Sequence, residues 1–309
     1  MSTAFQRDTT VTATPGSSGR YTAHLPATWA APNVPQGGIA LATAVRGMQA
    51  ELAAHQSGGV SMPLRSVSCV FAAPVEGGDI EIDATVLRQG RSVAQATATL
   101  RTPGRDAGLT AIAVFGASRP GFAFTDLDPP EMPDPESLPS YRDGPPPDVE
   151  FEFDHGPFPI WTNHIEGRPV VGHAPWEAYV PDTSERQSFY RFDEVPRDAA
   201  GALDPLALVT LCDTMPGAVA ERMGPIPEYQ WYGPSADLTV HIVGTARSEW
   251  ILMRNHARRA GDGYASLDVE LWDPESGLVA YGTQTMIFTF FDQIPEGDGR
   301  LPVDQRPTR

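Results

Sequence analysis

One carboxylate stands in an apolar place. Asp213 lies in the stretch Pro205–Met223, flanked by Leu211, Cys212 and Met215. An isolated charge among such side chains is costly, so this Asp either serves a site or is paired structurally. Two other polar residues accompany it along the chain. Gln284 sits on an alternating, strand-like run, where it could act with Asp213 or cap a hydrogen-bond network inside a sheet. Ser235 follows Gly233-Pro234, where it could supply a hydroxyl or simply begin a strand. A carboxylate is a ready general base for water at neutral pH once its surroundings raise its pKa. Four arginines, Arg88, Arg91, Arg258 and Arg259, flank two similar Gly-centred turns. They read either as solvated turns or as a phosphate-binding cluster, for which the guanidinium is well shaped.

Other chemistries are excluded by what is missing. The 309-residue chain has no lysine; all 22 of its Lys+Arg residues are Arg. That removes a Schiff-base lysine, a Walker A phosphate loop and a Ser–Lys dyad. No G-x-S-x-G elbow and no G-x-G-x-x-G are present, which disfavours an α/β-hydrolase serine enzyme and a dinucleotide site. The seven histidines form no helical pair at zinc spacing, so no metal is expected. His24 or His241 would serve as a base only if Asp213 does not. The net charge of −17 argues against nucleic acid and against an anionic membrane surface. No run approaches the ~20 apolar residues of a membrane span, and the polar N-terminus carries no secretory signal. Cys69 and Cys212 read as small buried residues in a reducing, cytoplasmic setting.

The elements that must position these groups come in duplicate. Residues 79–100 align without a gap to residues 250–271, pairing Ile80 with Ile251, Arg88 with Arg259, Gly90 with Gly261, Ala94 with Ala265 and Leu100 with Leu271. Each copy reads as a hairpin of two extended runs. Each follows a helical stretch, Gly38–His55 and Asp204–Met223, with Asp204 expected as N-cap, Pro205 at the first helical position and a kink at Pro216. Aligning Gly108-Leu109 with Gly277-Leu278 puts Phe115 opposite Gln284. Further strands are expected at Tyr21–Thr28, Arg65–Pro74, 109–117, Val149–Asp154, Ile160–Ile165, Trp176–Val180, Gln187–Phe192, 236–245 and 278–290. Residues 1–18 read as a loose tail. The Pro- and Asp-rich stretch 119–147 reads as an extended linker.

In order along the chain, Asn33-Val34-Pro35-Gln36-Gly37-Gly38, Arg88-Gln89-Gly90-Arg91-Ser92, Leu211-Cys212-Asp213-Thr214-Met215, Pro234-Ser235-Ala236-Asp237 and Val279–Gln284 resemble the motifs of the acyl-CoA thioesterase II (TesB-like) family. The resemblance implies an α+β double hotdog, two tandem antiparallel sheets each wrapped around a long central helix. Residues 1–118 would form the N-terminal hotdog, 119–147 the linker, 148–297 the C-terminal hotdog with the catalytic residues, and 298–309 a tail. It implies hydrolysis of acyl-CoA to free acid and coenzyme A, without a cofactor, by a water that Asp213, Ser235 and Gln284 activate together. Thr239 is the alternative hydroxyl. Backbone N–H groups at Gly37 and Gly38 are candidates to hold the thioester carbonyl, and Arg88 and Arg91 candidates for the coenzyme A phosphates. A homodimer or larger homo-oligomer is expected from the fold. The rival readings are a non-catalytic acyl-CoA or lipid-binding module, which an arginine such as Arg222 or Arg254 engaging Asp213 would favour, and a structural hotdog subunit.

Overall fold

The computed structural model describes residues 2–55, 62–150, 158–174, 176–214, 216–224 and 231–290. Helix α1 (Ala4–Asp8) and the short β1 (Thr12–Ala13) precede β2 (Arg20–Leu25) and the long helix α2 (Gly37–His55). Four strands follow: β3 (Leu64–Phe71), β4 (Gly78–Gln89), β5 (Val93–Arg101) and β6 (Leu109–Gly116). The second half runs α3 (Pro159–Asn163), β7 (Ile165–Val171), β8 (Glu185–Phe192), α4 (Pro205–Cys212), α5 (Pro216–Met223) and β9 (Trp231–Tyr232). It ends with β10 (Ser235–Ile242), β11 (Ile251–Gly261), β12 (Tyr264–Asp273), β13 (Gly277–Ile287) and β14 (Thr289–Phe290).

Twelve strands make one antiparallel sheet, ordered β1-β2-β4-β5-β6-β3-β10-β13-β12-β11-β8-β7, and β14 pairs with β9 apart from it. The order β2-β4-β5-β6-β3 returns in mirror image as β10-β13-β12-β11-β8, joined at the β3–β10 seam. Registers repeat as well as order. Ile82 faces Leu100 in one hairpin, and Met253 faces Leu271 in the other. A bulge falls between Val86 and Arg88 in the first and between Ala257 and Arg259 in the second. The hydroxyls of Ser68 and Thr239 meet across the seam at 3.0 Å, with the same separation of 171 residues that relates Ile80 to Ile251.

The helices bury themselves against this sheet and against each other. Ile39, Leu41, Val45 and Met48 of α2 are fully buried, because α2 is covered by β4, β5 and β6 on one side and by α4 on the other. An apolar surface all round is what such a position demands. The second helix opens as expected, with the Asp204 carboxylate accepting from Leu206 N (3.0 Å) and Pro205 at the first turn. It is not one kinked helix. Its backbone leaves the helical region at Asp213 (φ −88°, ψ 46°), and α5 restarts at Pro216, a residue with no N–H to continue the ladder.

Several expectations need correction. The presumed tail contains α1, closed by a capping box: Gln6 N donates to Thr3 Oγ1 (3.3 Å) and Thr3 N to Gln6 Oε1 (3.1 Å). It anchors Phe5 edge-on to Trp29 and Phe192. The strand expected at Ile160–Ile165 is helix α3, led by Pro159, and β7 begins at Ile165. Trp176–Val180 forms no strand; Tyr179 instead stacks on His173 (3.7 Å) and donates to Ala220 O of α5. Of the strand expected at Val149–Asp154, residues 151–154 lie outside the described residues.

Stretch 119–147 has no strand, yet its second half is fastened down. Glu136 accepts from Trp250 Nε1 (3.0 Å) and Arg191 (3.1 Å), Tyr141 bonds Ser188 Oγ (2.7 Å), and Arg142 forks onto Asp193 (3.0 and 2.9 Å). Met132 and Leu138 pack on Phe189, Trp250, Leu252 and Trp272. These side chains form an apolar patch separate from the main core, and the segment keeps it from water.

The pairing of Phe115 with Gln284 also fails. Ala94 faces Phe115 and its counterpart Ala265 faces Met286, so Phe115 corresponds to Met286. Gln284 faces Leu267 and Leu238, as Ala113 faces Ala96 and Val67, so Gln284 corresponds to Ala113. The two turns are equally long, since Leu100 faces Leu109 and Leu271 faces Ala280, so matching Gly108 to Gly277 slips the frame by two residues.

Candidate active site

Asp213 is the residue at which α4 ends, and its carboxylate collects donors from three elements. Ser235 Oγ donates to Oδ1 at 2.8 Å and Gln284 Nε2 to the same oxygen at 2.7 Å. Gly38 N–H, in the first turn of α2, donates to Oδ2 at 2.9 Å. Gln284 Nε2 also reaches Ser235 Oγ at 2.5 Å. The three side chains singled out in the sequence are therefore within one hydrogen-bonded cluster. The partners of Asp213 are neutral, and Arg254 is held by Glu270 Oε2 (2.9 Å from Nε).

Two opposed effects set the charge of Asp213. Burial raises its pKa and outweighs the hydrogen bonds from Ser235, Gly38, Gln284 and Gly37 that lower it, leaving it pushed up to about 6. The carboxylate is thus ionised at neutral pH but basic enough to take a proton. The neighbouring thiols of Cys69 and Cys212 are held protonated by burial and by the charge on Asp213.

A bulge decides which hydroxyl faces the carboxylate. Between Ser235 and Asp237 the register of β10 against β13 shifts by one, so Ser235 faces Met286, Asp237 faces Thr285 and Leu238 faces Gln284. A one-residue shift moves a side chain to the other face of a sheet. Ser235 accordingly joins the inward set of Leu238 and Gln284. Thr239 points outward and bonds Ser68 Oγ. Asp237 holds the bulge: its carboxylate accepts from Thr285 N at 2.7 Å and from Thr285 Oγ1 at 3.3 Å.

The glycines are needed for close approach. A Cβ on Gly37 would lie 2.8 Å from Asp213 Oδ2 and 2.8 Å from Phe71 Cζ, and one on Gly38 2.8 Å from Thr210 backbone. The Gly38 N–H, expected as a candidate donor to a carbonyl oxygen, is engaged by Asp213 Oδ2 in this structure. Arg88 and Arg91 are not brought to the cluster. They flank the β4–β5 turn, exposed, at the end of the sheet level with Ala94, Phe115 and Leu64. Ser235 lies at the other end, beyond the Val70–Asp237 pair. Arg259 of the matching turn is level with Asp237, through Ser266 and Thr285, and so lies at the end of the sheet that carries Ser235. The two turns look alike in sequence, and only the strand order tells which one shares the end with Asp213.

Sequence reasoning passed over Gln36. It is buried, and its Nε2 donates to both Thr210 O and Asp213 O at 2.9 Å. A polar residue just before the Gly-Gly pair was the available signal.

Among the described residues, the first half has no equivalent cluster. Leu64 stands where Ser235 is and Ala113 where Gln284 is. Counting from the N-caps Gln36 and Asp204, Val45 stands where Asp213 is. All three are buried and apolar.

Comparison with known proteins places the chain in one class, the thioester hydrolases, and its fold among hotdog structures. Residues 25–116 match the family model of the acyl-CoA thioesterase N-terminal domain, and residues 128–288 that of the acyl-CoA thioesterase C-terminal domain. The chain belongs to the acyl-CoA thioesterase family, and it is a thioester hydrolase. Solved structures share the fold at low identity. A protein of unknown function with hot dog fold from Alicyclobacillus acidocaldarius is 22% identical, with a TM-score of 0.73 over 94% of this chain and 99% of that one. The acyl-CoA thioesterase II TesB2 of Mycobacterium marinum is 18% identical, with a TM-score of 0.67 over 94% and 99%. The tesB protein of Mycobacterium avium subsp. paratuberculosis is 18% identical, with a TM-score of 0.68 over 92% and 98%. A comparison with curated proteins finds no match.

Proposed function

We propose that the chain is a double hotdog that hydrolyses fatty acyl-CoA to the free acid and coenzyme A, with Asp213 as general base for a water. The observation that carries this reading is the ionisable carboxylate with a pKa near 6, fixed by Ser235, Gln284 and Gly38 at the meeting point of two helices. Asp213 accepts a proton as the water oxygen bonds to the thioester carbon. The tetrahedral intermediate then expels the thiolate of coenzyme A, which recovers the proton. Gln284 Oε1 is buried and accepts no hydrogen bond among the described residues. An orphaned acceptor beside the carboxylate suits the second hydrogen of that water.

The mirror-ordered sheet supports reading the chain as two hotdog units, of about residues 1–118 and 148–297, joined by 119–147; the expected tail, 298–309, lies outside the described residues. Among the described residues no helix is long and apolar enough to cross a membrane. A cytoplasmic enzyme assembling as a homodimer or larger homo-oligomer is part of the same reading.

The test is thiol release from acyl-CoAs of increasing chain length. Asp213→Asn is expected to lower kcat by on the order of a hundredfold or more while remaining folded. Wild-type hydrolysis should fall as pH drops through about 6, because the base is lost on protonation. An equally active Asn variant removes the assignment. Saturable acyl-CoA binding without turnover would favour the non-catalytic module.

A further inference from the structure

The end of α4 is an exposed problem in hydrogen bonding. The last carbonyls of a helix have no partner within it, and here the chain breaks at Asp213 instead of continuing into α5. Thr210 O keeps one donor within the turn, Asp213 N at 3.3 Å, and the further donor to it and to Asp213 O comes from 174 and 177 residues earlier. Gln36 Nε2 donates to Thr210 O and to Asp213 O, both at 2.9 Å. The same side chain closes the start of α2. Its Oε1 accepts from Ile39 N (3.2 Å), and its backbone carbonyl accepts from Ala40 N (3.2 Å). Gln36 is therefore the N-cap of α2 and the C-terminal tie of α4 at once, and it is only 5% exposed.

The arrangement has a consequence for the carboxylate. Gly38 N–H, two residues after Gln36, is the donor on Asp213 Oδ2. Gln36 thus grips the main chain of Asp213 while the helix it caps grips the side chain. The other N-cap, Asp204, also reaches across to the opposite helix, but it takes the side chain of Arg46, away from any carbonyl of the base. Only the Gln36 tie ends on the residue proposed to do chemistry.

We propose that Gln36 is a positioning residue for Asp213, locking the break between α4 and α5 against the start of α2 so that the Gly38 N–H stays on the carboxylate. This rests on the reading of Asp213 as general base. Among the described residues, the other titratable groups around that carboxylate are the protonated thiols of Cys69 and Cys212, with Asp237 beyond Cys69, and no cation stands beside them to compensate a disturbed Gly38 contact.

Asparagine separates the two tasks of Gln36. It is a good N-cap and uncharged, but it is one methylene too short to reach Thr210 O and Asp213 O. The measurement is a carbon-13 NMR titration of the Asp213 carboxyl in the full-length chain, identified by its loss in Asp213→Asn, together with thiol release. For Gln36→Asn, which keeps the cap but withdraws the donor from the Asp213 carbonyl, we expect a folded protein with a modestly lower unfolding midpoint and a carboxyl titration displaced upward from about 6. We also expect kcat to fall on the order of tenfold with KM little changed. Gln36→Met, which loses cap and tie together, should show the same titration shift with lower stability. An unshifted titration in folded Gln36→Asn overturns the proposal. Equal thiol release by wild type and Asp213→Asn would instead overturn the general base, and the titration would still report whether Gln36 governs the carboxylate.

Discussion

Ser235 enters the site because a bulge turns it inward, and that places weight on Asp237. This carboxylate replaces the ladder acceptor that Thr285 N–H would otherwise find, and it faces away from Asp213. If Asp237 acts only by aiming Ser235, its removal should matter only while Ser235 is present. Asp237→Ala should lower kcat/KM by roughly the same factor as Ser235→Ala, and the double variant should be no worse than Ser235→Ala alone. A thermodynamic cycle from the four sets of rates checks this, and fully additive losses would show that Asp237 does something else. At this scale the sequence was informative where a residue contradicted its surroundings, as Asp213 does among Leu211 and Cys212. It was silent on Gln36, whose bonding partners lie far along the chain. It could not tell which arginine-flanked turn lies near Asp213, because two turns of like composition sit at opposite ends of the sheet.

Between elements, the decisive contact is the start of α2 against the end of α4. Its closeness depends on Gly37 having no side chain, since a methyl there would meet the Asp213 carboxylate and the Phe71 ring, each at 2.8 Å. Gly37→Ala is expected to push Phe71 or Asp213 aside and to lower kcat by on the order of tenfold to a hundredfold. The gain in helix propensity from Ala would offset part of the stability loss. Thiol release beside a urea unfolding curve separates the two effects; unchanged turnover would mean that the site tolerates a wider gap. Elements with strong periodicity were legible in advance, including α2, β3 to β6 and β10 to β13. The elements missed were short ones decided by distant contacts. Helix α1 exists because Phe5 has Trp29 and Phe192 to rest on, and the 134–142 segment is fixed by Trp250, Arg191 and Asp193.

For the whole molecule, duplication poses the question of whether one chain holds one site or two. The positions matching Asp213, Ser235 and Gln284 are Val45, Leu64 and Ala113, all within the core. Their replacement would not be enough, because the matching helix start is also different. Where α2 offers Gly37 and Gly38, α4 has Pro205 and Leu206. Proline has no N–H to give, and the Leu206 N–H is already taken by Asp204 at 3.0 Å. The triple variant Val45→Asp, Leu64→Ser, Ala113→Gln therefore gains a buried carboxylate without its helix donor. We expect several kcal/mol of destabilisation and no added turnover. Combined with Asp213→Asn, the triple variant should remain inactive. Urea unfolding and thiol release on the four proteins measure both outcomes. Activity restored in that combination would mean that the first half needs only its side chains changed, and that the glycine helix start is not what confines chemistry to the second half.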